Sequence, residues 1–141
     1  MTSTVVVDTS ALVAVMTGED DASWFAETLH DTTTAVVSSG SLQECVHVLT
    51  TRSMEAGDPP AVTASVPVRL LELLGVLGVA VVPVTEELAI LGGTASAHLR
   101  RTPARLNFGD GFAYALARHL DCPIACKGND FPLTDVDVTQ P

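Results

Sequence analysis

Hydrophobic residues along the chain alternate between two spacings. Short valine-rich runs predict strands, and stretches with apolar residues three and four positions apart predict the helices between them. The predicted strands are Thr4–Val7, Ala35–Val37, Val79–Val82, Ile124–Cys126 and Val136–Val138. The predicted helices are Ala11–Met16, Ala22–Leu29, Ser41–Thr51, Val66–Leu77, Glu86–Leu99 after a Thr85 cap, and Phe108–His119. Strands alternating with helices predict an α/β fold with a short, mostly parallel central sheet flanked by helices.

Two stretches predict connections. Arg52–Thr63 contains Gly57, Pro59 and Pro60, which indicates a helix end followed by a loop, and Arg100–Leu106 is a basic loop. The chain of 141 residues has the usual size of one domain, so residues 1–141 are expected to form a single domain.

Ligands of parallel α/β sheets bind at the carboxyl ends of the strands. Asp8 directly follows the first predicted strand, and the segment after Ile124 should reach the same rim. In the helix Ser41–Thr51, Glu44 lies at the edge of the apolar stripe. The rim is therefore the expected position of the functional site.

Composition limits the class of protein. Hydrophobic residues are 47% of the chain and charged residues 17%, which predicts a folded and not a disordered protein. The net charge of −10 opposes non-specific binding to polyanions, so a nucleic-acid substrate would require metal ions and local basic residues. An acidic surface can equally bind a basic partner segment.

The N-terminal region lacks the pattern of a signal peptide, since the first basic residue is Arg52 and Asp8 interrupts the early apolar run. The longest charge-free apolar stretch, Leu73–Val84, is shorter than the roughly 18 residues of a membrane-spanning helix. We therefore expect a cytoplasmic protein without a membrane partner.

Cysteines and histidines offer no recognisable metal or disulfide pattern. The close cysteine pair has C-x-x-x-C spacing and the total is odd, so buried free thiols are expected at Cys45, Cys122 and Cys126. The histidines have no metal-ligand spacing and are interpreted as structural: His30, His47, His98 and His119.

Four acids flank the predicted elements, and each has a structural explanation on its own. Asp8 and Asp110 could cap helices, Glu44 could be a surface acid, and Asp130 could belong to a turn. Together they are more informative, because converging carboxylates repel each other unless a cation offsets their charge. Carboxylate oxygens favour Mg²⁺ or Mn²⁺ over zinc, and a pair of such ions can activate water against a phosphodiester.

The segments around these acids resemble the PIN-domain toxins of VapBC toxin–antitoxin systems. The similarity covers nearly the whole chain in the family's order, and its most specific parts are Asn107-Phe108-Gly109-Asp110 and Gly128-Asn129-Asp130-Phe131. The other segments are Val7–Leu12, Val37–Ser39 with Leu42–Glu44, and Thr134-Asp135.

The resemblance implies a single PIN domain and a Mg²⁺- or Mn²⁺-dependent endoribonuclease, commonly homodimeric and inhibited by an antitoxin whose C-terminal segment covers the acidic groove. By position, the catalytic and metal-binding acids are Asp8, Glu44, Asp110 and Asp130. Thr9 or Ser10 corresponds to the hydroxyl that orients water or phosphate. Gly111 and Cys126 depart from the family's usual residues, which affects the expected fine geometry but none of the acids.

Four basic residues lie near the segments of Asp110 and Asp130, and we hypothesise that they hold RNA phosphates: Arg100, Arg101, Arg105 and Lys127. An exposed basic loop without such a role is an equally simple interpretation.

Two other functions stay open at this stage. An aspartate-dependent phosphatase would usually need a second acid two residues after Asp8, where Ser10 stands. A catalytically inactive PIN-like binding module is the other alternative, although the presence of all four acids argues against it. Neither a P-loop nor a dinucleotide-binding glycine motif occurs.

Overall fold

Five short strands form one sheet in the computed structural model, which describes residues 3–141. The strands are β1 (Thr4–Val7), β2 (Thr34–Ser38), β3 (Val79–Val82), β4 (Ile124–Ala125) and β5 (Val138–Thr139). Their order is β3-β2-β1-β4-β5, and all four neighbouring pairs are parallel. The predicted α/β class with a mostly parallel sheet is confirmed.

Helices connect the strands in the predicted order. They are α1 (Thr9–Thr17), α2 (Ala22–Asp31), α3 (Ser39–Glu55), α4 (Pro60–Leu77), α5 (Glu86–Leu99) and α6 (Asp110–Leu120). A short 3₁₀ turn at Phe131–Leu133, which the sequence analysis did not predict, precedes β5.

Both faces of the sheet are covered, because successive side chains of a strand point to opposite sides. Val5 and Val7 of β1 pack with the buried side chains of α1 to α4. Val6, between them, packs with α5 and α6. The alternation places β1 at the centre of two apolar layers and fixes the direction in which its last residue leaves the sheet.

Two helices, α3 and α4, begin earlier in the chain than predicted. Helix α3 begins at Ser39, because the Ser38 hydroxyl caps it by accepting a hydrogen bond from the Gly40 amide at 3.2 Å. Helix α4 begins at Pro60, six residues earlier than predicted, since proline is well suited to a first helical turn, where its missing N–H costs nothing. The predicted long connection therefore shrinks to residues 56–59.

Helix α4 is long and apolar enough to cross a membrane by length and composition alone. It carries Arg69 and Glu72, and one stripe of its side chains belongs to the core: Val66, Leu70, Leu74 and Leu77. The charge-free stretch considered in the sequence, Leu73–Val84, covers only the last residues of this helix.

Helices α5 and α6 approach each other closely at Gly92 and Gly111. A Cβ atom on Gly111 would lie 2.7 Å from the Gly92 carbonyl oxygen, and a Cβ on Gly92 would lie equally close to the Gly111 carbonyl oxygen. The two backbones are therefore in contact. This contact is the physical reason for Gly111, one of the two positions at which the sequence departs from the proteins that it resembles.

The cysteines are free thiols in the described residues, as expected. Cys45 and Cys126 are buried, and burial raises the pKa of each thiol to about 12. Cys122 is half-buried. All four histidines are exposed, so none of them belongs to the core.

Candidate active site

Asp8 stands at the carboxyl end of β1, buried at 5% exposure. Its amide donates to the Ala125 carbonyl oxygen at 3.0 Å, which ties it to β4. Its carboxylate caps α1, where Oδ2 accepts from the Ser10 amide at 3.0 Å and from the Ser10 hydroxyl at 2.7 Å. Among the described residues, every hydrogen bond to this carboxylate falls on Oδ2, so Oδ1 is left for another ligand.

Asp110 begins α6 and forms a reciprocal pair with Asn107. The Asn107 amide donates to Asp110 Oδ2, and the Asp110 amide donates to Asn107 Oδ1, each at 2.9 Å. The capping explanation is therefore correct for Asp110 as it is for Asp8. Capping uses only the Oδ2 atom of each of these two acids, so it is compatible with a role in the site.

A cavity of about 270 Å³ opens at this rim of the sheet. Three of the four predicted acids line it: Asp8, Glu44 and Asp110. The remaining lining residues are Thr9, Ser10, Val13, Glu19, Val48, Arg52, Asn107 and Lys127. Asp130 is exposed and outside this lining, yet its charge raises the pKa of Asp110. The structure thus brings three acids into one cavity and places the fourth nearby.

Burial and mutual repulsion act on these carboxyls. Burial is the main cause that raises the pKa of Asp8, and the charge of Glu44 adds to it against the Ser10 hydrogen bonds. Burial also raises the pKa of Asp110 to about 6, with further increases from the charges of Asp8, Asp130 and Glu44. The site is therefore one at which negative charge is costly unless a cation is present.

The glycine of the Asn-Phe-Gly-Asp motif, Gly109, lies against the Glu44 side chain. A Cβ atom at this position would lie 1.6 Å from Glu44 Oε2. The Glu44 carboxylate therefore rests against the backbone immediately before Asp110. Only glycine leaves room for it, and this contact connects α3 to the start of α6.

The two candidate hydroxyls have different partners. The Thr9 hydroxyl donates to the Ser41 carbonyl oxygen at 3.1 Å and so joins α1 to α3 inside the protein. The Ser10 hydroxyl donates to Asp8 and accepts from the Lys127 amide at 2.9 Å. Ser10 is therefore the hydroxyl that contacts an acid of the site, and it also fixes the segment after β4.

The predicted basic residues divide between two places. Arg100, Arg101 and Arg105 line a separate depression together with Thr102 and Pro103. Lys127 lines the acidic cavity, but its Nζ lies 3.2 Å from Asp21 Oδ2 and 3.6 Å from Glu19 Oε1. The hydrogen bond that the Lys127 ammonium donates to Asp21 is the main cause that raises the pKa of Lys127.

Sequence reasoning missed Arg52, which also lines the acidic cavity. Its spacing could have revealed it, since Glu44, Val48 and Arg52 follow one another at four-residue intervals along α3 and share a helix face. Asn107 and Glu19 were missed as lining residues too.

The carboxylates that line the cavity are of the chemical type that binds a hard divalent cation. Asp8 and Asp110 each offer a carboxylate oxygen without a hydrogen bond from the described residues, and Glu44 shares their cavity. Carboxylate oxygens are the ligands that Mg²⁺ and Mn²⁺ prefer. Within residues 3–141, no group of three or more acidic, histidine or cysteine side chains is already arranged around a metal position. The carboxylate oxygens therefore fit a divalent ion chemically, and their side chains would have to move to surround one.

The fold and the rim site match one family. The PIN domain family profile matches residues 5–137, which is nearly all of the chain. Ribonuclease VapC28 of Mycobacterium tuberculosis is 39% identical over 134 residues, covering 93% of this chain and 94% of the relative. Ribonuclease VapC of Mycolicibacterium smegmatis is 37% identical and covers 93% of this chain and 96% of the relative. The chain belongs to the PIN-domain family, among the VapC ribonucleases.

Solved structures agree on the fold. The chain superposes on Mycobacterium tuberculosis VapC20, described as a sarcin–ricin loop cleaving toxin, with a TM-score of 0.68 and 21% identity over 97% of this chain and 99% of that one. The VapBC2 complex of Rickettsia felis, bound to a promoter DNA fragment, gives a TM-score of 0.72 and 14% identity over 97% and 98%. The family and the ribonuclease class predicted from the motifs are confirmed.

Proposed function

We propose that this protein is the toxin of a toxin–antitoxin pair, a cytoplasmic endoribonuclease that uses Mg²⁺ or Mn²⁺ to hydrolyse RNA phosphodiesters. The observation that carries the proposal is the rim cavity shared by Asp8, Glu44 and Asp110, in which burial and mutual repulsion raise the pKa of two carboxyls. The names of the curated relatives support a ribonuclease.

Each residue has a defined part in this proposal. Asp8 and Asp110 present the oxygen that capping leaves free, Glu44 reaches the same cavity across Gly109, and Asp130 adds negative charge close to Asp110. A bound divalent ion would supply an activated water and would stabilise the leaving oxygen. Ser10 holds the Asp8 carboxylate in place, and Thr9 supports the same strand end through α3.

We retain the proposal that basic residues contact RNA, but the three arginines and Lys127 have different roles in it. Arg100, Arg101 and Arg105 offer a basic depression apart from the acids, where more distant phosphates could bind. Lys127 lines the cavity, but Glu19 and Asp21 already balance its charge. We propose that Lys127 chiefly orders the cavity wall.

An antitoxin with a basic segment is the proposed regulatory partner. The net charge of −10 and the acidic cavity favour such a segment electrostatically. The Rickettsia felis neighbour is itself named as a VapBC complex, which supports a partner of this kind. We also propose a homodimer, since exposed apolar side chains favour association, among them Met54, Val68, Leu71 and Val76. Light scattering of the purified chain would measure its mass in solution.

Cleavage of total RNA with Mn²⁺ tests the proposed function. Asp8→Asn and Asp110→Asn should each lower the cleavage rate by about a hundredfold or more, because each removes a charged metal ligand. Asp137→Asn is a matched control that removes one carboxylate from a different cavity. EDTA should abolish cleavage by the wild type.

Two outcomes would overturn the proposal. Equal cleavage by the wild type and both site variants would exclude the carboxylate mechanism. RNA binding without any cleavage in Mg²⁺ or Mn²⁺ would favour the inactive binding module instead. Mapping the cut sites in the same assay identifies the RNA.

A further inference from the structure

A second cavity adjoins the acidic one. It measures about 200 Å³ and lies between α1, α3 and α4. Arg52 lines both cavities, so the two meet at this side chain, and we refer to them together as the groove. The second cavity also contains Arg69 of α4. The groove therefore begins among carboxylates and continues past two arginines.

Both arginines are exposed and available. Within residues 3–141, neither Arg52 nor Arg69 forms an ion pair, whereas Arg118 pairs with Asp135 and Lys127 is held by two acids. The one acid that lines the second cavity is Asp58, and its carboxylate accepts a hydrogen bond from the Ser53 hydroxyl at 2.7 Å. The arginines thus keep their donors for an external anion.

The spacing along α3 sets the scale of the groove. Arg52 follows Glu44 by eight residues on the same face, which corresponds to about 12 Å along the helix axis. A stacked nucleic-acid strand advances roughly 3.4 Å per nucleotide, so about 12 Å corresponds to about three nucleotides. Arg52 is therefore displaced along α3 from the carboxylates whose cavity it shares, which places it for a neighbouring phosphate of the strand.

We propose that Arg52 and Arg69 form a phosphate-binding subsite that positions the RNA strand on one side of the cut, along the groove between α3 and α4. The inference rests on the proposed function and adds the direction in which the strand leaves the acids. Guanidinium groups hold phosphates through two parallel hydrogen bonds, which suits this role. A basic antitoxin segment would be repelled by the same pair, so the charge of this part of the groove favours RNA.

Salt-dependent RNA binding tests this subsite. A labelled single-stranded RNA is titrated with Asp8→Asn protein in Mg²⁺, so that the strand stays intact, and the titration is repeated with Arg52→Gln or Arg69→Gln added. Each change should weaken binding several-fold and lower the slope of log K against log salt by about 0.7, the value for one lost phosphate contact on a single strand. Arg118→Gln is the matched control, with the same change of charge outside the groove.

Two further measurements separate positioning from folding. Arg52→Lys should recover most of the salt slope, because it retains the charge, and all variants should melt at the same temperature. In the otherwise unchanged enzyme, Arg52→Gln should raise KM for a long RNA several-fold, and the increase should be smaller for a dinucleotide, which is too short to follow the groove to Arg69. If Arg52→Gln instead lowered kcat on both substrates, that result would contradict a subsite role.

The outcomes keep the two proposals distinct. If the wild type never cleaves RNA but Arg52→Gln still lowers affinity and slope, the proposed function fails and the subsite stands. If Arg52→Gln and Arg118→Gln bind RNA identically, or no binding is measurable, the subsite is wrong even when cleavage is normal. If Arg52→Gln weakens the binding of an acidic peptide but not of RNA, the groove belongs to a protein partner and the inference is also overturned.

Discussion

Asp110→Asn should stabilise the metal-free protein at neutral pH. The folded state raises the pKa of this carboxyl from 3.8 to about 6, chiefly through burial and then through the charges of Asp8, Asp130 and Glu44. At about 1.4 kcal/mol per pKa unit this corresponds to about 3 kcal/mol, which solvent screening of the partly exposed side chain reduces to about 1–2 kcal/mol.

The amide keeps the cap, since its oxygen can still accept from the Asn107 amide. Losing a negative charge in the first turn of α6 costs about 0.5 kcal/mol, so the net gain should be about 1 kcal/mol. For a chain of this size that gain raises the melting temperature by about 4 °C.

The pH dependence has a definite sign. Because the carboxyl pKa is higher in the folded state, the folded chain binds more protons between pH 3.8 and about 6. This group therefore lowers stability as pH rises through that window, and its destabilising contribution is complete above the folded pKa. Asp110→Asn should lack this decline.

Thermal unfolding in EDTA across that pH range measures both effects, with Asp137→Asn as the control. Adding Mn²⁺ should then reverse the order, because the wild type binds the ion more tightly than the variant and gains stability by mass action. A variant that is less stable than the wild type at neutral pH, with an unchanged pH profile, would refute the repulsion argument and leave Asp110 as a cap.

Two glycines provide further predictions. Gly109→Ala should lower cleavage by about tenfold or more with a stability change under about 1 kcal/mol, because the new Cβ displaces the flexible end of Glu44 and not backbone; full activity would contradict this. Gly111→Ala should cost about 1–3 kcal/mol in urea unfolding, because its Cβ meets the Gly92 carbonyl oxygen on the adjoining helix; unchanged stability would show that the helices can separate freely. Gly93→Ala, with open space around it, is the control for both and should leave cleavage intact.

Local patterns anticipated much of the fold. The short apolar runs predicted five strands, although β5 begins two residues later than predicted, and the position of Asp8 at the end of the first run predicted its place at the rim. The start of α4 was missed because Pro59 and Pro60 were interpreted as parts of a loop, although proline is compatible with a first helical turn. The turn at Phe131–Leu133 had no periodic pattern from which it could be predicted.

For the site, sequence reasoning identified the acids but could not determine their relations. It left capping and function as competing explanations for Asp8 and Asp110, whereas the structure shows that one oxygen caps and the other is left over. It grouped Lys127 with the arginines of the 100–106 loop, although of these four residues only Lys127 lines the acidic cavity. Arg52 was overlooked because the predicted helix ended at Thr51, which placed Arg52 in the following connection instead of on the helix face of Glu44.

The sequence by itself determined the class of fold and the family, because strand and helix patterns are local and the family motifs are contiguous. Only the tertiary structure decided which side chains share a cavity, which cations are already neutralised and what a side chain at Gly109 or Gly111 would meet. These depend on contacts between segments distant in the chain. The distances and packing of such contacts arise only when the helices settle on the two faces of the sheet.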